Sequence, residues 1–237
     1  MGFTIGGMRE RGEPRPTIGR ARRAPGRSPM DTAIAEYVGL WGWDVTPGAG
    51  LRLAAGRLRA ECSCGRADCA RPGAHPLPPA RTILAGSPLD RALDIWADAR
   101  AGTPSATALL STGVAFDVLE VPESVARAAL PRLDRLAVPM GPVALAPDGR
   151  AWFFVAPGVA DELPQLLDKL GWSSIRLRLR GLGAGWHIAA PPSDFAGLGA
   201  VGWLRPPDLE TAATPPSANP LLGALASLCH RLSPVEP

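Results

Sequence analysis

The chain contains little lysine, little histidine and no long hydrophobic segment. Lys169 is its single lysine, and with abundant Ala, Gly and Pro this arginine bias is typical of high-GC codon usage. No apolar run reaches the ~18 residues that a membrane-spanning helix needs, and the arginine-containing N-terminus lacks the apolar segment of a secretory signal. We therefore expect a cytoplasmic protein with no membrane partner.

Charge is distributed unevenly along the chain. The formal net charge of the 237 residues is +3, but residues 1–30 contain seven arginines against Glu10 and Glu13, so the remainder is slightly acidic. On net charge the body is not a basic nucleic-acid binder, although local basic patches are compatible with this balance. Residues 1–27 are rich in Arg, Gly and Pro without periodicity, which predicts a disordered arm.

Apolar periodicity from residue 28 onward predicts several helices. The first is capped by Ser28 or Asp31 and has an apolar stripe of Ile34, Tyr37, Val38 and Trp41. The second is expected to have Ser87 as its N-cap and Pro88 in the first helical position, with an inward face of Leu89, Leu93 and Trp96. Further helices are predicted over 123–137, with a kink at Pro131, over 160–170 and over roughly 219–231.

Predicted strands alternate with these helices. They cover 107–110, 114–121, a hairpin around Pro147-Asp148-Gly149, and the alternating segment 175–180, which turns through the glycines of GLGAG into a further strand. This mixture predicts an α+β fold with a mixed, largely antiparallel sheet and flanking helices. We expect one domain over 28–207, then a Pro/Ala-rich linker and a C-terminal helix over 208–237.

The stretch CSCGRADCARPGAHP, residues 62–76, holds three of the four cysteines. Cys62, Cys64, Cys69 and His75 are spaced C-x-C-x4-C-x5-H, and zinc takes four such ligands in a tetrahedron. Since cytoplasmic thiols stay reduced, we expect a closed, structural zinc site in a loop over 60–80 rather than disulfides. The alternative is a surface loop of reduced cysteines with a solvated His75. Cys229 is expected to be a buried small hydrophobe.

Two charged patterns bear on nucleotide chemistry. Asp117 and Glu120 lie in a hydrophobic strand, where a carboxylate pair can clamp Mg²⁺, but three positions apart they point to opposite faces. They are equally consistent with ordinary strand residues. Arg176, Arg178 and Arg180 would lie on one face of a strand and could bind phosphates, or form a solvated edge that resists aggregation. Without a G-x-S-x-G string, a nucleophilic triad is not supported.

These features occur in an order that resembles a known family. The cysteine loop ending in PGAHP, a helix with Trp96, the strand GVAFDVLEV, a hairpin ending FFVAP and the segment RGLGAGWHIAAPPS are similar to the bifunctional DNA primase/polymerase N-terminal (prim-pol) domain of the archaeo-eukaryotic primase superfamily. The resemblance covers about residues 30–207 and is to the short stand-alone type of high-GC actinobacteria. It implies an RRM-like α+β sheet with a metal-dependent nucleotidyltransferase site.

The catalytic residues that this resemblance implies are poorly matched. The family carries two acids at i and i+2, a histidine on the following hairpin and a third acid on a later strand. The first acid corresponds to Glu120, the second falls on Pro122, and the third falls at or near Arg178. No histidine occurs in residues 149–154, and Ala74 stands where the family has a lysine.

We therefore expect a primase/polymerase-like protein that has lost catalysis. It would bind nucleic acid or nucleotide through Arg176, Arg178, Arg180 and the N-terminal arm. One alternative is an active enzyme with Mg²⁺ or Mn²⁺ on Asp117, Glu120 and Glu123. Another is a non-enzymatic regulatory protein that uses the cleft for a protein partner, whose identity the sequence does not indicate.

Overall fold

The computed structural model describes residues 27–53 and 60–232. Its helices are α1 (Pro29–Gly39), α2 (Leu89–Gly102), α3 (Glu123–Arg135), α4 (Val159–Lys169), α5 (Leu209–Ala213) and α6 (Asn219–Leu232). Its strands are β1 (Val45–Gly48), β2 (Leu51–Leu53), β3 (Ala60–Cys62), β4 (Thr107–Ser111), β5 (Asp117–Pro122), β6 (Val143–Leu145), β7 (Arg150–Val155), β8 (Arg180–Leu182), β9 (His187–Ala189) and β10 (Gly202–Arg205). Apart from Arg27, the predicted N-terminal arm lies outside the described residues.

The strands form three antiparallel sheets. One has five strands in the order β10-β6-β7-β5-β8, one has three in the order β1-β4-β9, and β2 pairs with β3. The α+β fold with antiparallel sheets and flanking helices is thus confirmed. In the part of the chain that the structure covers, no helix is long and apolar enough to cross a membrane.

Hydrophobic clusters fill both faces of the five-stranded sheet. Because side chains alternate along a strand, Val118 of β5 faces the first cluster while Leu119 and Val121 face the second. The first cluster surrounds the fully buried Trp43, whose ring contacts the rings of Tyr37, Phe116 and Phe154. The second is closed by α3, α4 and α6, so the C-terminal helix packs on the same sheet as the rest of the chain.

The starts of α1 and α2 can be compared with the N-caps that the sequence predicts. Of the two predicted caps of α1, Ser28 is the N-cap, and it forms a reciprocal capping box with Asp31. The predicted start of α2 is wrong: Pro88 has an extended backbone and is the N-cap, so the helix begins one residue later. Of the predicted inward face, Trp96 is buried and Leu93 is half-buried, whereas Leu89 is 39% exposed and Ala92 is buried instead.

The hairpin around Pro147-Asp148-Gly149 is confirmed, because β6 and β7 pair across it. The strand predicted over 175–180 is wrong, since only Arg180 of that segment is in a strand. Arg180 of β8 is opposite Glu120 of β5, so residue 178 would have to pair with Pro122, where β5 ends and α3 begins. Proline has no N–H to donate, and the pairing stops there.

Two chain crossings connect the three-stranded sheet with the five-stranded sheet. Residues 112–116 lead from β4 to β5, and the glycine-rich 183–186 leads from β8 to β9, so GLGAG is not the predicted hairpin turn. The crossings contact each other: the Thr112 hydroxyl donates to the Gly183 carbonyl at 2.5 Å. Gly113, with φ of +91°, lies so close to Ala184 that a Cβ there would stand 2.3 Å from the Ala184 Cα.

Candidate metal loop and basic cleft

The predicted cysteine and histidine ligands come together in space. The ligand atoms of Cys62, Cys64, Cys69 and His75 all lie within 4.8 Å of one another. Cys62 ends β3 and is buried, while the others follow in turns and are half-buried. Of the described residues, this is the only grouping of three or more His, Cys, Asp or Glu side chains that could hold a metal ion. We call residues 62–75 the metal loop.

Local backbone geometry brings the ligands together. Gly65 and Gly73 both have positive φ, near +70°, which lets the chain reverse twice within the loop. The Gly73 N–H donates to the Cys62 Sγ at 3.4 Å. The His75 Nδ1 donates to the Pro76 carbonyl at 2.8 Å, which leaves Nε2 directed at the Cys62 Sγ, 3.4 Å away.

The chemistry of these donors fits a tetrahedral metal. A zinc–thiolate bond of about 2.3 Å separates neighbouring ligand atoms by about 3.7 Å, in keeping with the spacing here. A backbone hydrogen bond at Arg66 is the main cause that lowers the pKa of the Cys64 thiol to about 7, so part of it is thiolate at neutral pH. Burial raises the pKa of Cys69. Three sulfurs and one imidazole would close the coordination shell of a metal.

A cleft of about 500 Å³ lies beside the metal loop. Loop residues form one wall, and β5, β7 and β8 of the five-stranded sheet, together with β9, form the others. Its charged and aromatic lining consists of Arg71, Glu120, Asp148, Arg150, Trp152, Arg180, Trp186, His187 and Phe195. We call it the basic cleft, because it contains three arginines against two carboxylates.

The register of the five-stranded sheet brings Glu120 to the cleft. Glu120 shares its strand face with Val118, and its direct neighbours on β7 and β8 are Trp152 and Arg180. The Trp152 Nε1 donates to one carboxylate oxygen at 3.0 Å. The other oxygen lies 3.6 Å from an Nη of Arg150. Both oxygens of Glu120 therefore have partners within the protein.

Arg150 lies between two carboxylates. Besides its contact with Glu120, its guanidinium donates to Asp148 at 2.7 Å from both Nε and Nη2. Partial burial acts against its charge, but Glu120 and Asp148 raise the pKa of Arg150 overall. A permanent cation thus occupies the space between these acids.

The other two arginines flank one indole ring. The Cζ of Arg180 is 4.2 Å and that of Arg71 is 4.9 Å from the ring centroid of Trp186. Arg71 also donates to the His187 carbonyl at 2.9 Å. Burial first, and then Arg71, lower the pKa of His187, so at pH 7 its imidazole adds no charge to the cleft.

The other acids considered at the sequence level lie elsewhere. Asp117 is 1% exposed and accepts a hydrogen bond of 2.8 Å from the Ala160 N–H at the start of α4. Burial is the main cause that raises the pKa of Asp117. Glu123 is in the first turn of α3 and binds Arg127 at 2.7 Å. Neither lines the cleft with Glu120.

The predicted arginine ladder does not form. Arg176 and Arg178 are exposed, lie outside any strand and do not line the cleft, whereas Arg180 does. Their phosphate-binding role stays a prediction. The sequence reasoning missed Arg71 and Arg150, although Arg150 belongs to the very segment in which the resemblance placed a histidine. Nothing in the local pattern distinguished either from the many other arginines.

Comparison with known proteins supplies the family. Neither the curated proteins nor the solved structures contain a significant match. The family model described as "Bifunctional DNA primase/polymerase, N-terminal" matches residues 34–220. This range includes the whole metal loop, the whole basic cleft and all three sheets. The chain belongs to the bifunctional DNA primase/polymerase N-terminal (Prim-Pol) family.

Proposed function

We propose that this Prim-Pol protein binds the phosphates of a nucleotide or nucleic acid in its basic cleft and does not polymerise. The observation that carries the proposal is the position of Arg150 between Glu120 and Asp148. Glu120 corresponds to an acid that holds catalytic metal in the family. Here one of its oxygens accepts a hydrogen bond from the indole of Trp152, and the other lies next to the guanidinium of Arg150.

The cleft is poorly suited to two catalytic metal ions. A pair of Mg²⁺ ions needs several oxygen ligands from protein and substrate, with the ions about 4 Å apart. The guanidinium of Arg150 repels a cation at this place, and Arg180 lies directly across the sheet from Glu120. Asp117 points to the opposite face of β5, so it does not complete a metal pair.

The same features suit a phosphate. Arginine offers a planar fork of donors that matches phosphate oxygens, and three such forks line one cleft. The family lysine that the sequence replaces by Ala74 would also have come from the metal loop. Arg71, three residues earlier, extends a cation from that loop into the cleft.

We further propose that the metal of the loop is zinc with a structural role. Three thiols and one imidazole are a soft donor set, which zinc prefers over magnesium or manganese. The cluster opens onto the shallow surface around Arg66 and Asp68 as well as toward Arg71. Four protein ligands leave no open position for a reacting water.

Binding and polymerisation can be tested with the same preparation. We expect a labelled oligonucleotide to bind without added Mg²⁺ or Mn²⁺, and Arg180→Ala to weaken binding roughly tenfold, since one charge-assisted hydrogen bond is lost. Arg127→Ala is the matched control, because Arg127 is an exposed arginine that pairs with Glu123 away from the cleft.

A primer-extension assay with Mg²⁺ or Mn²⁺ decides about catalysis. We expect no extended product from the wild-type chain. Product that disappears in Glu120→Ala would contradict the proposal and restore the active-enzyme alternative. Equal affinities of wild type, Arg180→Ala and Arg127→Ala would show that phosphates are not bound in the cleft.

A further inference from the structure

We infer that the metal loop positions Arg71 in the basic cleft, so that metal loading sets the affinity of the cleft for phosphate. This inference rests on the proposed function, because it requires a cleft that binds anions. It gives the structural metal a measurable effect on a site that contains none of its ligands.

Arg71 is held between two metal ligands. It follows Cys69 by two residues and precedes His75 by four, so both ends of this short segment are fixed when the ligands share an ion. Within the segment, the Ala74 N–H donates to the Arg71 carbonyl at 3.1 Å, which closes a tight turn. The backbone of Arg71 is therefore part of the loop that the metal would organise.

The loop is also attached to the sheets behind it. The Gly73 carbonyl accepts from the Thr107 hydroxyl at 2.8 Å, and the His75 carbonyl accepts from the Ala49 N–H at 2.8 Å. These contacts fix the loop against β4 and against the residue that follows β1. They do not fix the Cys64 to Cys69 side, so the metal is the connection that would order that half.

On the cleft side, the guanidinium of Arg71 lies beside the same ring as the guanidinium of Arg180, which has the same charge. The Cζ of Arg71 lies 4.9 Å from the ring centroid of Trp186, and the Cζ of Arg180 lies 4.2 Å from the same centroid, so two cationic groups share one indole ring. Two positive charges beside one ring repel each other, and the hydrogen bond of 2.9 Å from Arg71 to the His187 carbonyl acts against that repulsion. A phosphate between the two guanidinium groups would remove it.

The metal loop and the position of Arg71 together couple metal binding to anion binding. With metal bound, the loop holds Arg71 against the repulsion, and the cleft is organised for an anion before the anion arrives. Without metal, the Cys62 thiol keeps contacts of 3.4 Å with the His75 Nε2 and the Gly73 N–H, but no ion ties Cys69 to His75, and the segment that carries Arg71 is held less firmly. The anion then has to order the loop itself, which lowers its affinity.

The test measures ATP binding, without Mg²⁺, by the zinc-loaded full-length chain and by the same chain after chelation. We expect stripping to weaken ATP binding by the wild type roughly tenfold and re-addition of Zn²⁺ to restore it. Arg71→Ala should keep its zinc, bind ATP roughly tenfold more weakly and lose little more on stripping. Arg66→Ala is the matched control, since Arg66 is in the same loop but outside the cleft and pairs with Asp68.

The outcomes separate this inference from the proposed function. Equal ATP affinities of the loaded and stripped wild type, or of loaded Arg71→Ala and Arg66→Ala, would overturn the inference alone. If zinc-loaded Arg180→Ala binds ATP as tightly as the zinc-loaded wild type, the proposed function is overturned. If stripping unfolds the chain, as measured by circular dichroism, the inference is tested by the ATP affinities of zinc-loaded Arg71→Ala and zinc-loaded Arg66→Ala.

Discussion

Asp117 and Glu120 are neighbours on one strand with different environments. Three positions apart on β5, they point to opposite faces, one into the core and one toward the cleft. Asp117 accepts a hydrogen bond from the first turn of α4, where the helix dipole favours an acceptor. This hydrogen bond attaches α4 to the sheet and gives the buried carboxylate a structural partner.

Asp117→Ala is expected to destabilise the fold by about 1–3 kcal/mol, since it leaves the N–H of the half-buried Ala160 without this acceptor. The free energy of unfolding in urea measures this. Asp161→Ala is the control, because Asp161 is an exposed residue in the first turn of α4 and should cost less than about 1 kcal/mol. Equal losses would contradict a capping role for Asp117.

Replacement or protonation of a single metal ligand should weaken zinc binding. Cys64→Ser should reduce zinc content from one ion per chain to a small fraction, because serine is a poor ligand for this metal. Acidification below the Cys64 pKa of about 7 should weaken zinc binding in the wild type, because the thiolate is the ligand. Zinc release read with a coloured chelator measures both effects.

Cys229→Ala is the control for this experiment. Cys229 is buried in α6 and belongs to the second hydrophobic cluster, not to the metal loop. We expect it to keep full zinc content. A Cys64→Ser protein that holds as much zinc as Cys229→Ala would show that the cluster is not the metal site.

Among the elements, α1 begins at a local capping box and contacts a segment that is distant in sequence. Its capping box at Ser28 fixes the start of a helix whose Tyr37 hydroxyl donates to the carbonyl of Pro191. The helix therefore links the beginning of the described chain to the start of the segment after β9. Its other buried contacts are with Trp43 and the first cluster.

Ser28→Ala is expected to lower the free energy of unfolding by about 1 kcal/mol, because the Asp31 N–H loses its side-chain acceptor. Chemical denaturation measures the change. Ser124→Ala is the comparison, since this exposed serine is in the first turn of α3, where Pro122 is the N-cap, and it should be nearly neutral. A larger loss in Ser124→Ala would contradict the capping assignment.

The elements also show what a sequence can and cannot predict. The metal loop was predictable, because its ligands lie within 14 residues and turn residues between them indicate how they meet. The cleft was not, since strand register brings Arg150 and Arg180 together from distant segments, and Arg71 reaches them from the metal loop. The strand over 175–180 had the right alternation, but Pro122 ends its partner strand.

At the scale of the whole molecule, the charge of residues 1–30 should act separately from the cleft. This segment contains seven arginines and two glutamates, whereas the remainder is slightly acidic. Deleting residues 1–26 should make oligonucleotide binding less salt-dependent, since fewer cations then neutralise phosphates. The slope of log affinity against log salt measures this, and ATP binding by the cleft should be unchanged.

A salt slope that is identical with and without residues 1–26 would show that the N-terminal charge does not contact nucleic acid. Loss of ATP binding in the same deletion would show that the segment acts on the cleft itself. Arg180→Ala in the full chain provides the converse comparison, with ATP binding weakened and most of the salt dependence retained.

The contact between Gly113 and Ala184 has a consequence for the dimensions of the cleft. Arg180 is carried by the five-stranded sheet, whereas His187 begins the three-stranded sheet, with Trp186 immediately before it. The two crossings thus join the two sheets beside the cleft, and they can approach this closely because Gly113 has no Cβ. An alanine at Gly113 would place its Cβ against the backbone of Ala184, so the two crossings would have to move apart and the cleft would widen, although Gly113 does not line it.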